Sequence, residues 1–203
     1  MNLPNKITMS RIFLVPVFLI FVIPLPDWML KSSFLSFLKP QAINDFILNF
    51  GNYIAAGIFI LAGITDRVDG YIARKHKLIT TFGKFLDPIA DKLLVAAALI
   101  ALVQRNDITS WTAILIISRE FIVTGLRLVA VGEGIVISAS NIGKLKTATQ
   151  IVAIAAILLK DFPLSLITTF PFGKYAMMIA VIITLYSLYD YLAKNIKNLN
   201  IHS

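Results

Sequence analysis

No cysteine occurs anywhere in the chain, and histidine occurs only twice, as His76 and His202. These absences exclude disulfide bonds, a thiolate nucleophile and any cysteine-ligated metal, and they favour oxygen as the ligand for a metal ion. Charge is scarce as well. Only 15% of the 203 residues are charged, eleven of them acidic, whereas 58% are hydrophobic, and mean hydropathy is +0.82. Soluble domains carry roughly 25% charged and about 45–50% apolar residues, so this is the composition of a membrane protein. No low-complexity tract is visible, nor any repeat with a period of about 20–50 residues. The formal net charge of +8 comes from basic residues dispersed among apolar segments. That dispersal fits membrane topology and anionic headgroups, and no nucleic-acid partner is expected.

Six apolar stretches, at residues 8–26, 51–74, 84–104, 108–132, 139–160 and 173–194, approach the roughly 20 residues a helix needs to cross about 30 Å of hydrocarbon. The sequence therefore predicts an all-α membrane protein with six transmembrane helices, forming a single domain over 1–203. The first stretch is read as a retained span, since no small-residue cleavage site follows it. It contains Pro16 and Pro24, and its lead-in, "MNLPNKITMSR", is polar and basic, as expected of a short N-terminal interfacial segment. Residues 27–50 mix aromatics with Lys31, Lys39 and Asp45, and the apolar positions 30, 34, 37 and 38 follow helical spacing. An interfacial insertion is expected there. Cytoplasmic loops collect Lys and Arg. With the N-terminus inside, that side receives Lys6, Arg11, Arg74, Lys75, Lys77, Lys144, Lys146, Lys194 and Lys197, against Lys31, Lys39, Arg105, Lys160 and Lys174 opposite. Both termini and the loop "RKHKLITTFGK" are therefore expected in the cytoplasm.

Against this background one segment is anomalous. "TDRVDGYIARKHKLITTFGKFLDPIADKLL", residues 65–94, carries four aspartates, at 66, 69, 87 and 91. An ionised Asp near a bilayer centre costs at least about 2.5–3.5 kcal/mol, so these carboxylates should face a wet or charged site. Asp66 and Asp69 are three residues apart and Asp87 and Asp91 four apart; on helices each pair projects from one face, a turn separated. A short basic loop folds the two helices into a hairpin and brings the pairs together. Four anions in one pocket must be protonated, paired with cations or filled by divalent metal. Mg²⁺ or Mn²⁺ suits carboxylates without Cys or clustered His, and two such ions about 3.5–4 Å apart can clamp a phosphoryl group. Gly70, Ala73 and Gly83 lie near the aspartates, leaving room for a ligand to approach the backbone or for helices to pack closely. Arg74 is either a phosphate or ribose contact or a positive-inside marker. Arg67 and Lys92 point to other helix faces and are read as structural, and His76 as a solvated loop residue.

Laid out in order, Asp66, Asp69, Gly70, Ala73, Arg74, Gly83, Asp87 and Asp91 form D-x-x-D-G-x-x-A-R, eight residues, then G-x-x-x-D-x-x-x-D. The stretch resembles the signature of the CDP-alcohol phosphatidyltransferases, without departure at any position, and that family's six-helix fold matches the helix count. "MNLPNKITMSR", "GKFLDPIADKLL", "ISREFIVTGLR" (117–127) and "GKLKTATQ" (143–150) resemble the bacterial branch that makes phosphatidylglycerol phosphate. The resemblance implies a phospholipid-biosynthesis transferase that moves a phosphatidyl group from CDP-diacylglycerol to glycerol 3-phosphate, releasing CMP, with two Mg²⁺ or Mn²⁺ ions per site. It implies that Asp66, Asp69 and Asp87 ligate one ion and Asp66, Asp87 and Asp91 the other. Asp91 would also be the catalytic general base. Asp66, Gly70, Ala73, Arg74, Thr80 and Gly83, with Asn5 and Thr8, would form the nucleotide site; Thr81 is the alternative to Thr80. The implied setting is the cytoplasmic membrane of a bacterial cell, as a multi-pass homodimer with its active site toward the cytoplasm.

A phosphorylated acceptor needs cations of its own. Arg119 and Arg127 stand eight residues apart in an otherwise apolar helix, about 80° apart around it. With Lys144 they are expected to bind the acceptor phosphate; the alternative is that the arginines pair with Glu120 and Glu133. Other readings stay open at this stage: phosphatidylglycerol, inositol phosphate or serine as acceptor, a cation- or proton-coupled transporter, or ion pairs inside a helix bundle.

Overall fold

In the computed structural model, residues 3–31, 37, 39–75, 81–132 and 141–195 are described, with 3–8, 66–75, 81–88, 91, 131 and 141 of them as backbone only. Regular structure among them is helical: α1 (Leu3–Val22), α2 (Asp27–Leu30), α3 (Pro40–Phe46), α4 (Asn52–Lys75), α5 (Thr81–Gln104), α6 (Ser110–Gly132), α7 (Asn141–Leu158) and α8 (Phe172–Asn195), plus a π turn at Ile47–Gly51 and a 3-10 turn at Leu164–Leu166. The all-α class holds. The first helix stops at Val22 rather than the expected 26, because Pro24 supplies no N–H and disfavours helical geometry at Ile23. The polar lead-in belongs to the same helix as the apolar run behind it.

The 27–50 segment differs from expectation at its C-terminal end. The interfacial helix expected over 30–38 falls largely on residues 32–36 and 38, outside the described residues. From Pro40, however, α3 passes through the π turn directly into α4, so the last part of the segment prolongs the following helix. Polar side chains of α3 hold the connection before it. Asn44 Oδ1 accepts from the Leu25 N–H at 3.0 Å, and Gln41 Nε2 donates to the Leu30 carbonyl at 3.0 Å.

The chain packs as two compact units, Met1–Asp107 and Ile108–Ser203. In the first, α1 packs along both α4 and α5. The buried positions are mostly small: Ala55, Ala56 and Ala62 on α4, and Ala90, Ala98 and Ala101 on α5. Phe18 and Phe59 fill the space between α1 and α4, their ring centroids 6.1 Å apart. Small residues let helix backbones approach where lipid offers no hydrophobic drive for association. Gly51 marks the tightest approach, since a Cβ there would lie 2.2 Å from the Phe21 carbonyl oxygen. Arg105, just past α5, donates to Asn52 Oδ1 at the start of α4 at 2.5 Å and pairs with Asp107 at 3.0 Å. These contacts fix the directions: α1 runs antiparallel to α4, and α4 antiparallel to α5.

In the second unit α8 packs against α7 and α6. Its buried residues, Gly173, Met177, Ala180, Thr184, Ser187 and Tyr191, alternate steps of four and three, the seam of a tightly packed helix. Two bonds define an antiparallel register with α7: Gly173 N–H to Asp161 Oδ1 at 2.6 Å, and Gln150 Nε2 to Thr184 Oγ1 at 2.8 Å. Thr109 caps α6 by accepting from the Thr112 N–H at 3.3 Å.

Large apolar side chains cover the outside, among them Trp111, Phe121, Leu128 and Ile182, a surface suited to lipid. Among the described residues, Pro40–Thr65 and Phe172–Asn195 are long and apolar enough to cross a membrane, and Met9–Val22 and Lys92–Gln104 are shorter apolar stretches.

Two glycines of the first unit should respond oppositely to alanine. Gly51→Ala forces Cβ against backbone and is expected to cost about 1–3 kcal/mol. At Gly57 an added Cβ meets nothing within 4 Å, so Gly57→Ala should be neutral or stabilising by up to about 1 kcal/mol through helix propensity. Thermal midpoints of the detergent-purified variants check both; equal midpoints would contradict the α1–α4 contact.

Candidate active site

The helices of the first unit act as rulers. Asp66 stands fourteen residues after Asn52, and Asp91 fourteen before Arg105; at about 1.5 Å per residue both lie about 21 Å from the Asn52–Arg105 contact. Asp69 and Asp87, seventeen and eighteen residues away, lie at about 26 Å. The structure thus brings the backbones of both aspartate pairs to the same end of an antiparallel hairpin, whose helices are linked there through the five residues 76–80. The same reasoning places α1. Phe21 meets Gly51, so Thr8 and Asn5, thirteen and sixteen residues before Phe21, reach back about 20–24 Å to the aspartate level. Gly70, Ala73 and Arg74 occupy the last turns of α4, and Thr81 and Gly83 the first turn of α5. Thr80 and His76 lie outside the described residues, as do the aspartate side chains. The donor set fits a hard divalent cation, being carboxylate throughout, without thiolate, and carried on two helices at one level.

A second polar cluster lies within the second unit. Arg119, whose side chain is 8% exposed, donates from Nη2 to Ser187 Oγ at 2.7 Å and from Nη1 to Glu120 Oε1 at 3.3 Å. Lys146 Nζ donates to the same Glu120 oxygen. One turn further along α7, Gln150 reaches Thr184. Arg127 lies with its guanidinium carbon 5.7 Å from the centre of the Tyr191 ring. Arg119 and Arg127 are therefore tied to successive turns of α8, at Ser187 and Tyr191. Of the two lysines that open α7, Lys144 is exposed and Lys146 is buried. Glu133 lies outside the described residues.

From sequence, Arg119 is either an acceptor contact or a partner of Glu120. The structure shows the Glu120 pairing and adds Ser187 and Lys146. From sequence, Lys146 marks only the cytoplasmic side. The available clue was that Lys146 and Gln150 share one face of an apolar helix at i, i+4 spacing, and ionisable residues in such helices have partners or functions. The buried cluster contains two cations and one carboxylate, a surplus of positive charge.

These features define a helical, largely apolar protein with two aspartate pairs at one end of a helical hairpin in its first unit and a buried cationic cluster in its second. A sequence profile of the CDP-alcohol phosphatidyltransferases matches residues 1–186, and the chain belongs to that family. Several relatives carry one activity in their names. The CDP-diacylglycerol–glycerol-3-phosphate 3-phosphatidyltransferase of Bacillus subtilis is 48% identical over 194 residues, 96% of this chain and 95% of its own length. Proteins of the same name from Rickettsia bellii and Haemophilus influenzae are 35% and 36% identical over 192 and 196 residues, each covering 94% of this chain and 93% and 91% of their own.

Removing Glu120 should hurt more than removing Lys146. Glu120→Leu removes the carboxylate that Arg119 and Lys146 share and is expected to cost about 3–5 kcal/mol. Lys146→Met leaves Glu120 bonded to Arg119 and should cost less, about 1.5–3 kcal/mol for the charged bond to Glu120. Chemical denaturation in detergent micelles provides the comparison, and a reversed order would contradict the bridging role of Glu120.

Proposed function

We propose that the protein transfers the phosphatidyl group of CDP-diacylglycerol to glycerol 3-phosphate, giving phosphatidylglycerol phosphate and CMP, in the cytoplasmic membrane of a bacterium. Family membership and the shared activity name of relatives covering nearly the whole chain support catalysis over ion transport. The observation that carries the reading is the common level of the two aspartate pairs, with Asn5 and Thr8 of α1 alongside. Six spans, a single catalytic domain, both termini in the cytoplasm and a homodimeric assembly belong to the same proposal. They rest on the apolar pattern, the basic-residue asymmetry and the family resemblance.

In this reading Asp66, Asp69 and Asp87 would hold one divalent cation and Asp66, Asp87 and Asp91 a second. Mg²⁺ or Mn²⁺ bound there would neutralise the diphosphate and the charge developing on departing CMP. Gly70 and Ala73, lacking long side chains, leave the α4 backbone open to the nucleotide. Arg74, Thr80, Gly83, Asn5 and Thr8 surround the cytidine and its phosphates. Arg119, Arg127 and Lys144 hold the acceptor phosphate and so orient its glycerol end. Asp91 accepts the proton of the attacking glycerol hydroxyl. That oxygen bonds to the phosphorus carrying diacylglycerol, and the bond from this phosphorus to the CMP oxygen breaks, its electron pair leaving with CMP. Holding both reactants in line replaces a bimolecular encounter with a positioned one, which lowers the barrier without any covalent intermediate.

An assay of the purified protein with CDP-diacylglycerol and a panel of acceptors tests this directly. CMP release is expected with glycerol 3-phosphate, and not with serine, inositol phosphate or phosphatidylglycerol. EDTA should abolish it and added Mg²⁺ or Mn²⁺ restore it; full turnover after exhaustive chelation would refute the carboxylate–metal site. Asp91→Asn should lower turnover by about 10²–10⁴-fold, the usual worth of a positioned proton acceptor, while nucleotide affinity is kept.

A further inference from the structure

We infer that Tyr191 is a further acceptor-site residue, its phenolic hydroxyl donating to the acceptor phosphate beside Arg119 and Arg127. The inference rests on the reading of those two arginines given above. Tyr191 lies on the buried seam of α8 and is 5% exposed. Its hydroxyl is buried and has no hydrogen-bond partner among the described residues. Leaving a hydroxyl in that condition costs about 1–3 kcal/mol, and buried tyrosine hydroxyls ordinarily have partners. A ligand that arrives with acceptor oxygens would remove the deficit.

The surroundings specify the kind of ligand. Arg127 faces the Tyr191 ring at 5.7 Å, an arrangement that engages the face of the ring and leaves the in-plane hydroxyl available. One turn earlier on α8, about 6 Å along the axis, Ser187 holds Arg119 by Nη2. Arg119 Nε is likewise buried without a partner among the described residues. Two unused donors, one from α6 and one from α8, therefore lie in a region where Arg119, Arg127 and Lys146 outnumber Glu120. The acid nearest in sequence, Asp190, is already paired with Lys194 at 2.6 Å. Donors and surplus positive charge together call for an anion with several acceptor oxygens, which a phosphate monoester provides. Tyr191 also lies beyond residue 186, where the family match ends.

Tyr191→Phe tests this because it keeps the ring under Arg127 and removes only the hydroxyl. The expected signature is a rise of roughly tenfold or more in KM for glycerol 3-phosphate, the loss of one hydrogen bond to a charged group. kcat and the KM for CDP-diacylglycerol should stay unchanged. Without ligand, Tyr191→Phe should be as stable as the parent or more so, since no hydrogen bond is lost; the thermal shift produced by glycerol 3-phosphate should shrink. A hydroxyl with a purely structural role predicts the opposite, a lower ligand-free melting temperature with unchanged KM, and that result overturns the inference. Arg119→Ala and Arg127→Ala are measured alongside. If they raise KM for glycerol 3-phosphate and Tyr191→Phe does not, the inference falls and the arginine reading stands. If neither arginine variant changes that KM, the arginine reading falls, and the inference with it.

Discussion

A polar group among apolar helices has no water to fall back on, so leaving it without a partner at its own depth is costly. That requirement does more to fix this fold than apolar burial, because a lipid-facing helix gains little by hiding leucine from lipid. The contacts that set helix direction and register are accordingly polar or very small. Arg105 with Asn52 and Asp107 closes one end of the α4–α5 hairpin. Glu120 with Arg119 and Lys146 ties α6 to α7, and Ser187 carries the same network to α8. Gly51 and Gly173 give the close approaches, where an added Cβ would meet Phe21 at 2.2 Å or Ile157 at 2.8 Å.

This restriction links the fold to the chemistry through helix length. Once Asn52 and Arg105 are joined, the distance to each aspartate backbone is set by the fixed rise of an α-helix, and nearly equal counts along α4 and α5 bring those backbones to one level. A one-residue insertion between residues 52 and 66 would lengthen one arm and rotate its aspartates by about 100°. The site therefore depends on contacts some 21 Å away, on the far side of the unit. The Gly51–Phe21 approach plays the same part for α1, bringing Asn5 and Thr8 back to the aspartates.

The sequence made some of this legible and hid the rest for a physical reason. The approximate limits of the long helices followed from the apolar runs, and the aspartate motif was readable because charge in such a chain is rare enough to stand out. Pro24 stopped α1 earlier than the apolar run alone implied. The continuous helix from Pro40 into α4 was obscured because Lys39, Asn44 and Asp45 resemble loop composition, although Asn44 is in fact spent on the Leu25 N–H. Which faces are buried could not be read from hydrophobic periodicity, since lipid and protein interior are comparably apolar. On α8 the informative period belongs to small and polar residues instead: Gly173, Ala180, Thr184 and Ser187 mark the seam, while Ile179, Ile182 and Leu185 point outward.

The two lysines of α7 show where such reading ends. Lys144 and Lys146 are both at the basic end of the helix, and charge alone does not choose between them. Register does. Gln150 is fixed against Thr184, and Asp161 caps α8 at Gly173, which determines the face of α7 that meets α8. Lys146, four residues before Gln150, lies about 40° from it around the helix and turns inward to Glu120; Lys144, six residues before, lies about 120° away and is exposed. A buried lysine bound to a carboxylate is spent on holding Glu120 and Arg119. An exposed one remains free to adapt to a diffusing anion. The division of labour between otherwise similar residues thus follows from the register of α7 against α8, set by hydrogen bonds one turn from Lys146 and at the opposite end of the helix.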